Sequence, residues 1–368
     1  MSFHNSVLFD VSSVPEQPTG AGRYIIELTK AFNKLEAKSV IILARKGDHR
    51  FNDFAPNLKT FELAPKNAIT RLTYEKFLIS LASKKLQCSI IHSPHYTVPI
   101  GSKKNLVVTI HDLTFVKHPE WHTVSKRIFF THELKKAAKT AGAIICVSDS
   151  TLKAFEQIYG VRDNVFVIPH GINLEIFNLN SGDDSKLLGD LGVTEPYLLF
   201  VGTIEPRKNI ARLIQAVKRL KDLKVLEEKV TLVLVGKKGW KVSLDQTYSW
   251  IKPVGFVQDK TLASLYRRSL CVVYPALEEG FGLPVVEALA CGAKVVTSAC
   301  SPMAALAKDL AINCDPYSVE SIANAIKLAC LNTDASYKER AAKLAYNHSW
   351  EKSALDHIMV YDKLLGSK

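Results

Sequence analysis

Cys271-Val272-Val273-Tyr274, then Glu279-Gly280-Phe281-Gly282-Leu283-Pro284-Val285-Val286-Glu287-Ala288-Leu289-Ala290-Cys291-Gly292, then Lys294-Val295-Val296-Thr297, reads as strand, glycine-rich loop, short helix and strand. Proline suits the first helical turn, where its missing N–H is not needed. Pro284 is therefore expected to start the helix, with Glu287 in its first turn and Glu279 outside on the loop. Strand–loop–helix–strand is the repeating unit of a doubly wound α/β sheet. A helix N-terminus offers unpaired N–H groups to a phosphate, and Gly280 and Gly282 carry no side chain to hold a ligand off. Glu287 can take both hydroxyls of a ribose, as an acidic residue does in dinucleotide sites. Glu279 then reaches the far end of a diphosphate. The plainer alternative is a tight turn before a helix whose early carboxylate compensates the dipole.

The same unit recurs at the start of the chain. Val7-Leu8-Phe9-Asp10-Val11 reads as a strand, Thr19-Gly20-Ala21-Gly22-Arg23-Tyr24 as a glycine loop, and the stretch from Arg23 through Leu35 as an amphipathic helix. Val40-Ile41-Ile42-Leu43 is the next strand. The glycine loop lacks the full dinucleotide fingerprint. Apolar runs at 88–91, 106–110, 143–147 and 165–168 are further strands. Polar residues follow each of them: His92 to His95, His111-Asp112, Ser148 to Ser150 and Pro169-His170-Gly171. In open parallel sheets the ligand crevice lies beyond the carboxyl ends of the strands, so His111 with Asp112 is a site candidate, and Ser148 and His170 line the same rim.

Residues 178–194 are polar and glycine-bearing and read as a linker, separating domains at 1–177 and 195–348. Tyr197 to Val201 restarts the alternation and ends in Gly202-Thr203-Ile204-Glu205-Pro206-Arg207-Lys208-Asn209. Arg207 and Lys208, past a strand and at the head of a helix, supply a planar fork and a point charge for a diphosphate. Strands are expected at 231–236 and 254–257, and a final helix over 349–368 is capped by Ser349. Two basic helices, Arg71 to Leu86 and Thr123 to Lys139, each read as a core-facing apolar stripe with a solvated face. Their sharper reading is docking on an anionic membrane.

Glu-x7-Glu within EGFGLPVVEALACG resembles the signature of retaining glycosyltransferases with the GT-B fold, and GTIEPRKN resembles that family's basic motif. The resemblance implies an α/β protein of two Rossmann-like, doubly wound parallel-sheet domains facing across a cleft. It implies an N-terminal acceptor-side domain, a C-terminal nucleotide-sugar domain, and a last helix crossing back to the first. In its terms Glu279 contacts the donor sugar and Glu287 binds the ribose. Arg207 and Lys208 neutralise the diphosphate leaving group, and His111 touches the donor sugar near the reaction centre. Gly22, Gly202, Gly280, Phe281, Gly282 and Leu283 border the donor. The backbone at Phe256 and Val257 meets the base, while Gly20, Arg23 and Asp112 lie on the acceptor side. HDLTFVKHPEWHT looks like the mannosyltransferase-like branch, which points to GDP-mannose or a UDP-sugar as donor. It also points to a glycan or lipid-linked acceptor in bacterial surface polysaccharide or lipopolysaccharide synthesis. The stretch after Val296, including Cys300, departs from the family by lacking an acidic residue at Ala304-Ala305.

Composition is globular, with 47% hydrophobic and 23% charged residues among 368. No apolar run reaches the roughly 20 residues of a membrane span. The start, Met1 to Asn5, has no signal-peptide pattern. Seven scattered cysteines suit buried thiols in a reducing cytoplasm, so a cytoplasmic protein, peripheral on the inner membrane face, is expected. The formal net charge of +12 fits an anionic membrane or anionic substrates, and no nucleic-acid module is present by motif. With no Asp-x-Asp motif, no metal or other cofactor is expected to be required. Three rivals stand beside this reading. They are a sugar-nucleotide epimerase, a non-catalytic sugar-nucleotide binding protein and, weakened by the incomplete glycine fingerprint, a dinucleotide oxidoreductase.

Overall fold

The computed structural model describes residues 6–18, 20–237, 239, 248–299 and 301–366. Met1 to Asn5, Thr19 and Cys300, which figure in the sequence reading, lie outside the described residues. The chain divides into two compact units, residues 1–171 with 349–368 and residues 172–348.

Unit 1 carries strands β1 (Ser6–Asp10), β2 (Val40–Arg45), β3 (Lys59–Ala64), β4 (Cys88–Ser93), β5 (Leu106–Ile110), β6 (Ala143–Cys146) and β7 (Val165–Val167). They form a parallel sheet in the order β3-β2-β1-β4-β5-β6-β7, with registers such as Val7 against Val40 and Ile110 against Cys146. Unit 2 carries β8 (Tyr197–Val201), β9 (Thr231–Val235), β10 (Ile251–Gly255), β11 (Cys271–Tyr274), β12 (Val295–Ser298) and β13 (Ala311–Cys314). Their order is β10-β9-β8-β11-β12-β13, again parallel. The central strands β1, β5, β6, β8, β11 and β12 are buried along their whole length. Helices cover both faces of such sheets, so their strands read as unbroken apolar runs.

β3 and β13 have no such run. Lys59-Thr60-Phe61-Glu62-Leu63-Ala64 and Ala311-Ile312-Asn313-Cys314 are edge strands with partly exposed faces, and the sequence reading passes over both. The stretch 178–194, read as a linker, holds the helix Asp184–Asp190 and belongs to unit 2. Its Asp184 is buried and takes both Arg267 Nη2 (2.6 Å) and Nε (2.9 Å). The units divide after Gly171, six residues before the expected boundary at 177.

The last helix, Trp350–Gly366, packs within unit 1 on the helix Ala21–Lys34. Ser349 Oγ caps it through Lys352 N–H at 3.1 Å. A directed chain of hydrogen bonds ties it to the sheet. His357 Nδ1 sits 2.7 Å from the Ser353 carbonyl and must donate, so Nε2 accepts from Tyr24 O–H at 2.8 Å. Thr109 then donates to Tyr24, His92 Nε2 to Thr109, and Tyr361 O–H to His92 Nδ1. Every group in the chain is buried and every imidazole is neutral. Gly171 is held to the same helix so closely that a Cβ would stand 2.2 Å from Trp350 N.

The segment read as one helix over Arg71–Leu86 is α-helical over Ala68–Thr73, π-helical over Tyr74–Leu78 and α-helical over Ile79–Lys85. A π turn adds a residue to the repeat and rotates the helix beyond it. The core face is therefore Glu75, Ile79 and Ser83. Phe77 is 57% exposed and Leu81 60%, which corrects the expectation that the Leu72, Phe77, Leu78 and Leu81 stripe faces the core. In the helix Val124–Thr140, Leu134 is buried as its periodicity suggests, while Ile128 is 63% exposed. The buried Glu133 pairs with Lys76 and accepts from Val98 N–H at 2.7 Å.

Candidate active site

In unit 2 the exits of β8 and β11 are laced together. Pro206–Lys208 forms a 3-10 turn, and Asn209 closes it in the left-handed region at φ 61°. Asn209 Nδ2 donates to the carbonyls of Pro275 (3.0 Å) and Pro316 (2.6 Å), and Leu277 N–H to that of Arg207 (2.8 Å). These bonds bring the basic pair against the loop bearing Glu279, as the two motifs lead one to expect.

Glu279 Oε2 accepts from Arg207 Nη1 at 2.9 Å, from Lys208 Nζ and from Tyr274 O–H at 3.3 Å. Among the described residues no hydrogen bond reaches its Oε1. Lys208 is buried, bonds Tyr274 O–H and stands 4.9 Å over the Tyr274 ring. Arg207 Nε lies 2.5 Å from Glu205 Oε1. Burial acts to raise the Glu279 carboxyl, but Arg207, Lys208 and the hydrogen bonds outweigh it and hold the group at about 2. Burial pushes the Lys208 ammonium down, helped by Arg207 and opposed by Glu279. Burial drives the Tyr274 hydroxyl well up. The cluster is thus a half-buried carboxylate between two cations and a neutral phenol. Sequence reasoning misses Tyr274 and Glu205, because a tyrosine closing a strand and a glutamate before Pro206 carry no pattern of their own.

The helix after the glycine loop spans Leu283–Ala290. It starts one residue before Pro284, so Glu287 lies past its first turn, which corrects that expectation. Glu287 is buried and accepts from Tyr266 O–H at 3.1 Å. Gly280 and Phe281 are buried, and the Phe281 ring lies 6.1 Å from His348. Gly282 caps the helix at φ 97°, where a Cβ would fall 2.2 Å from Met303 Cγ. Its missing side chain therefore makes room for Met303. Gly202 follows β8 with its N–H on the Val235 carbonyl (2.9 Å), and a Cβ on Gly236 would strike the Gly202 carbonyl oxygen at 2.1 Å. Phe256 follows β10, half exposed beneath Lys237 Nζ at 5.9 Å, while Val257 is buried.

In unit 1 His111 directly follows β5. Its Nε2 lies 2.8 Å from the Pro94 carbonyl and its ring packs on Tyr24, His170 and Tyr96. Burial lowers its pKa to about 4, so the ring is neutral, with the proton on Nε2. The expected pairing with Asp112 does not form. Asp112 Oδ1 turns away to Thr114 N–H (3.0 Å) and Oγ1 (2.7 Å). Tyr96, at φ 73°, joins them instead: its hydroxyl accepts from the N–H groups of His111 (2.9 Å) and Asp112 (2.8 Å) and donates to the Asp112 carbonyl. A bulky residue held in that region marks a constrained loop. Gly20 (φ 52°) precedes the helix Ala21–Lys34; a Cβ on Gly22 would stand 3.2 Å from both Pro15 Cδ and Pro18 Cβ; Arg23 is half-buried.

Two parallel-sheet α/β units, one carrying an acid–cation cluster at the carboxyl ends of its strands, define an enzyme of the GT-B glycosyltransferase class. Residues 189–348 match the family model of the glycosyl transferases group 1, and residues 18–176 match that of Glycosyltransferase Family 4. The chain belongs to these glycosyltransferases. It is 29% identical over 291 residues to an O-antigen chain mannosyltransferase B of Escherichia coli, covering 75% of this chain and 74% of that one. Among solved structures, a sucrose-phosphate synthase from Thermosynechococcus elongatus superposes with a TM-score of 0.74 at 20% identity, over 99% of this chain and 100% of that one. Anabaena HepE in complex with UDP-glucose does so with a TM-score of 0.68 at 19% identity, over 98% of each. These two likenesses show the fold. No helix among the described residues is long and apolar enough to cross a membrane.

Proposed function

We propose that this glycosyltransferase moves a hexose from a nucleotide-diphosphate sugar to a glycan or lipid-linked acceptor of a bacterial surface polysaccharide, with retention of configuration. GDP-mannose is the first candidate donor and a UDP-sugar the second. The observation that carries this is the convergence of Arg207, Lys208 and Glu279 past the ends of β8 and β11. Glycosyl transfer builds negative charge on the departing phosphate, and preformed cations aimed at that charge lower the barrier. The mannosyltransferase relative supports the sugar, and the UDP-glucose complex of HepE supports the donor class.

On this reading Arg207, Lys208 and the amides heading the helix Leu283–Ala290 hold the diphosphate. Glu279 keeps Oε2 on the cations and offers Oε1 to a sugar hydroxyl. Glu287 and the backbone at Phe256 and Val257 hold the nucleoside. Neutral His111, with Nδ1 as an acceptor, orients the sugar and does not act as an acid at pH 7. No enzyme nucleophile is used; the leaving phosphate oxygen helps deprotonate the acceptor, and the basic pair does without a metal. Gly20, Arg23 and Asp112 stand on the acceptor side, and Gly22 borders the donor. The test is release of nucleoside diphosphate from GDP-mannose and UDP-glucose with and without bacterial lipid-linked glycan. Acceptor-dependent release supports transfer. Conversion of the donor with no acceptor supports the epimerase, and donor binding without turnover supports the binding protein.

A membrane-facing role rests on a second observation. Ile69 (78% exposed), Phe77, Leu81 and Ile128 stand out from unit 1 on segments that also carry Lys66, Lys84, Lys85, Lys126 and Arg127. Exposed apolar side chains beside cations suit the inner face of the cytoplasmic membrane. Sedimentation with vesicles should rise with anionic lipid, and sedimentation indifferent to lipid charge removes this part of the proposal.

A further inference from the structure

The strand order of the first sheet reverses at β1 and β4, and such a reversal is where open parallel sheets take ligands. Three metal-ligating side chains meet there. Asp10 is the last residue of β1, His95 lies two residues past β4, and Glu75 comes from the π-helical turn Tyr74–Leu78. One ligand atom from each of Asp10, Glu75 and His95 lies within 4.8 Å of the other two. His95 Nε2 is 3.7 Å from the Glu75 oxygen and 4.0 Å from that of Asp10, too far for hydrogen bonds. Asp10 is 1% exposed and Glu75 2%. Both ring nitrogens of His95 are buried without a hydrogen-bond partner among the described residues. An imidazole in that state is uncommon, since buried polar groups are nearly always bonded.

The surroundings hold this trio in place. Ser12 N–H donates to Asp10 Oδ1 at 3.0 Å, Thr97 Oγ1 to Glu75 Oε2 at 3.1 Å and Ser12 Oγ to Glu75 Oε1 at 3.2 Å. Such outer hydrogen bonds orient carboxylates at metal sites. Arg71 Nη1, 3.1 Å from Glu75 Oε1, brings one positive charge to two carboxylates.

We propose that Asp10, Glu75 and His95 form a divalent-cation site of the Zn2+ or Mn2+ class, carried by unit 1 alone. Two carboxylate oxygens and one imidazole nitrogen are a donor set for those ions. Ligand distances of roughly 2.0–2.2 Å need the three atoms to close in by less than about 1 Å. Three protein ligands leave coordination positions open to water or a hydroxyl. The cation would join the loop after β1, the π turn and the loop after β4. This inference is independent of the donor chemistry proposed for unit 2.

The test is calorimetric titration of the full chain, stripped with chelator, with ZnCl2 and with MnCl2, and with CoCl2 as an optical probe. The wild type should bind one ion per chain, with Co2+ ligand-field bands, and gain in melting temperature. Asp10→Asn and His95→Gln, each verified as folded by circular dichroism, should weaken binding at least 100-fold and lose the bands. Cys88→Ser should leave both unchanged. No saturable binding in the wild type, equal binding in the Asp10 and His95 variants, or loss in the Cys88 variant overturns the site.

Discussion

Glu279 Oε2 gathers three donors that arrive from two strand exits. Its pKa of about 2, against 4.5 for an ordinary glutamate, corresponds to about 3 kcal/mol of stabilisation. That contribution is present above about pH 4.5 and is lost as the pH falls toward 2. Lys208→Ala should therefore raise the Glu279 pKa, measurable by NMR of the labelled carboxyl, and should cut glycosyl transfer about 10²–10³-fold. Donor binding that persists alongside lost turnover places the lysine in the transition state. A variant with unchanged turnover contradicts the role. Gly282 gives a second prediction at this scale. Gly282→Ala meets both the left-handed backbone and Met303 Cγ at 2.2 Å. It should cost about 1–3 kcal/mol in chemical denaturation, with Met303→Ala recovering part of the loss in a double-mutant cycle. The approach of Glu279 to the basic pair is legible in the two motifs. The partners of Asp112 are not, because nothing in His111-Asp112 tells that the acid caps Thr114 while Tyr96 holds the two backbone amides.

The helix Trp350–Gly366 is fastened by neutral histidines, and its stability should follow their protonation. Burial lowers His357 to about 4 from 6.5 and holds His92 well below its ordinary value. Both bind protons less readily in the folded state. Stability is intact above pH 6.5 and falls as the pH drops through this range toward 4, by about 3 kcal/mol for His357. Melting temperature against pH should show this slope, and His357→Gln should flatten it. A profile unchanged in the variant assigns the slope elsewhere. Element by element, the sequence discloses the buried parallel strands because they are continuous apolar runs, as in Tyr197 to Val201. It conceals β3 and β13, which lie at sheet edges and mix polar with apolar residues. It also conceals the π turn at Tyr74–Leu78, since a one-residue slip in helical repeat leaves composition untouched and turns the following residues by about 100° relative to the core.

At the scale of the molecule, two cores fold around two parallel sheets, and the last helix of the chain belongs to the first of them. The boundary is hard to place from sequence because polar residues at 178–194 resemble a linker, yet Asp184 is drawn inside by Arg267. A nucleotide sugar at 100 times its dissociation constant should stabilise the protein by about 2.7 kcal/mol, seen as a raised thermal transition. The central claim, sugar transfer from a nucleotide diphosphate driven by the Arg207–Lys208 pair, is tested most directly by one radiotracer measurement. Mannose-labelled GDP-mannose is incubated with the protein and bacterial lipid-linked glycan, and both the released GDP and the labelled glycan are counted. Equal amounts of the two, formed by the wild type and lost with Lys208→Ala, are the predicted result. No label in glycan from GDP-mannose or a UDP-sugar, or undiminished transfer by the variant, would contradict it.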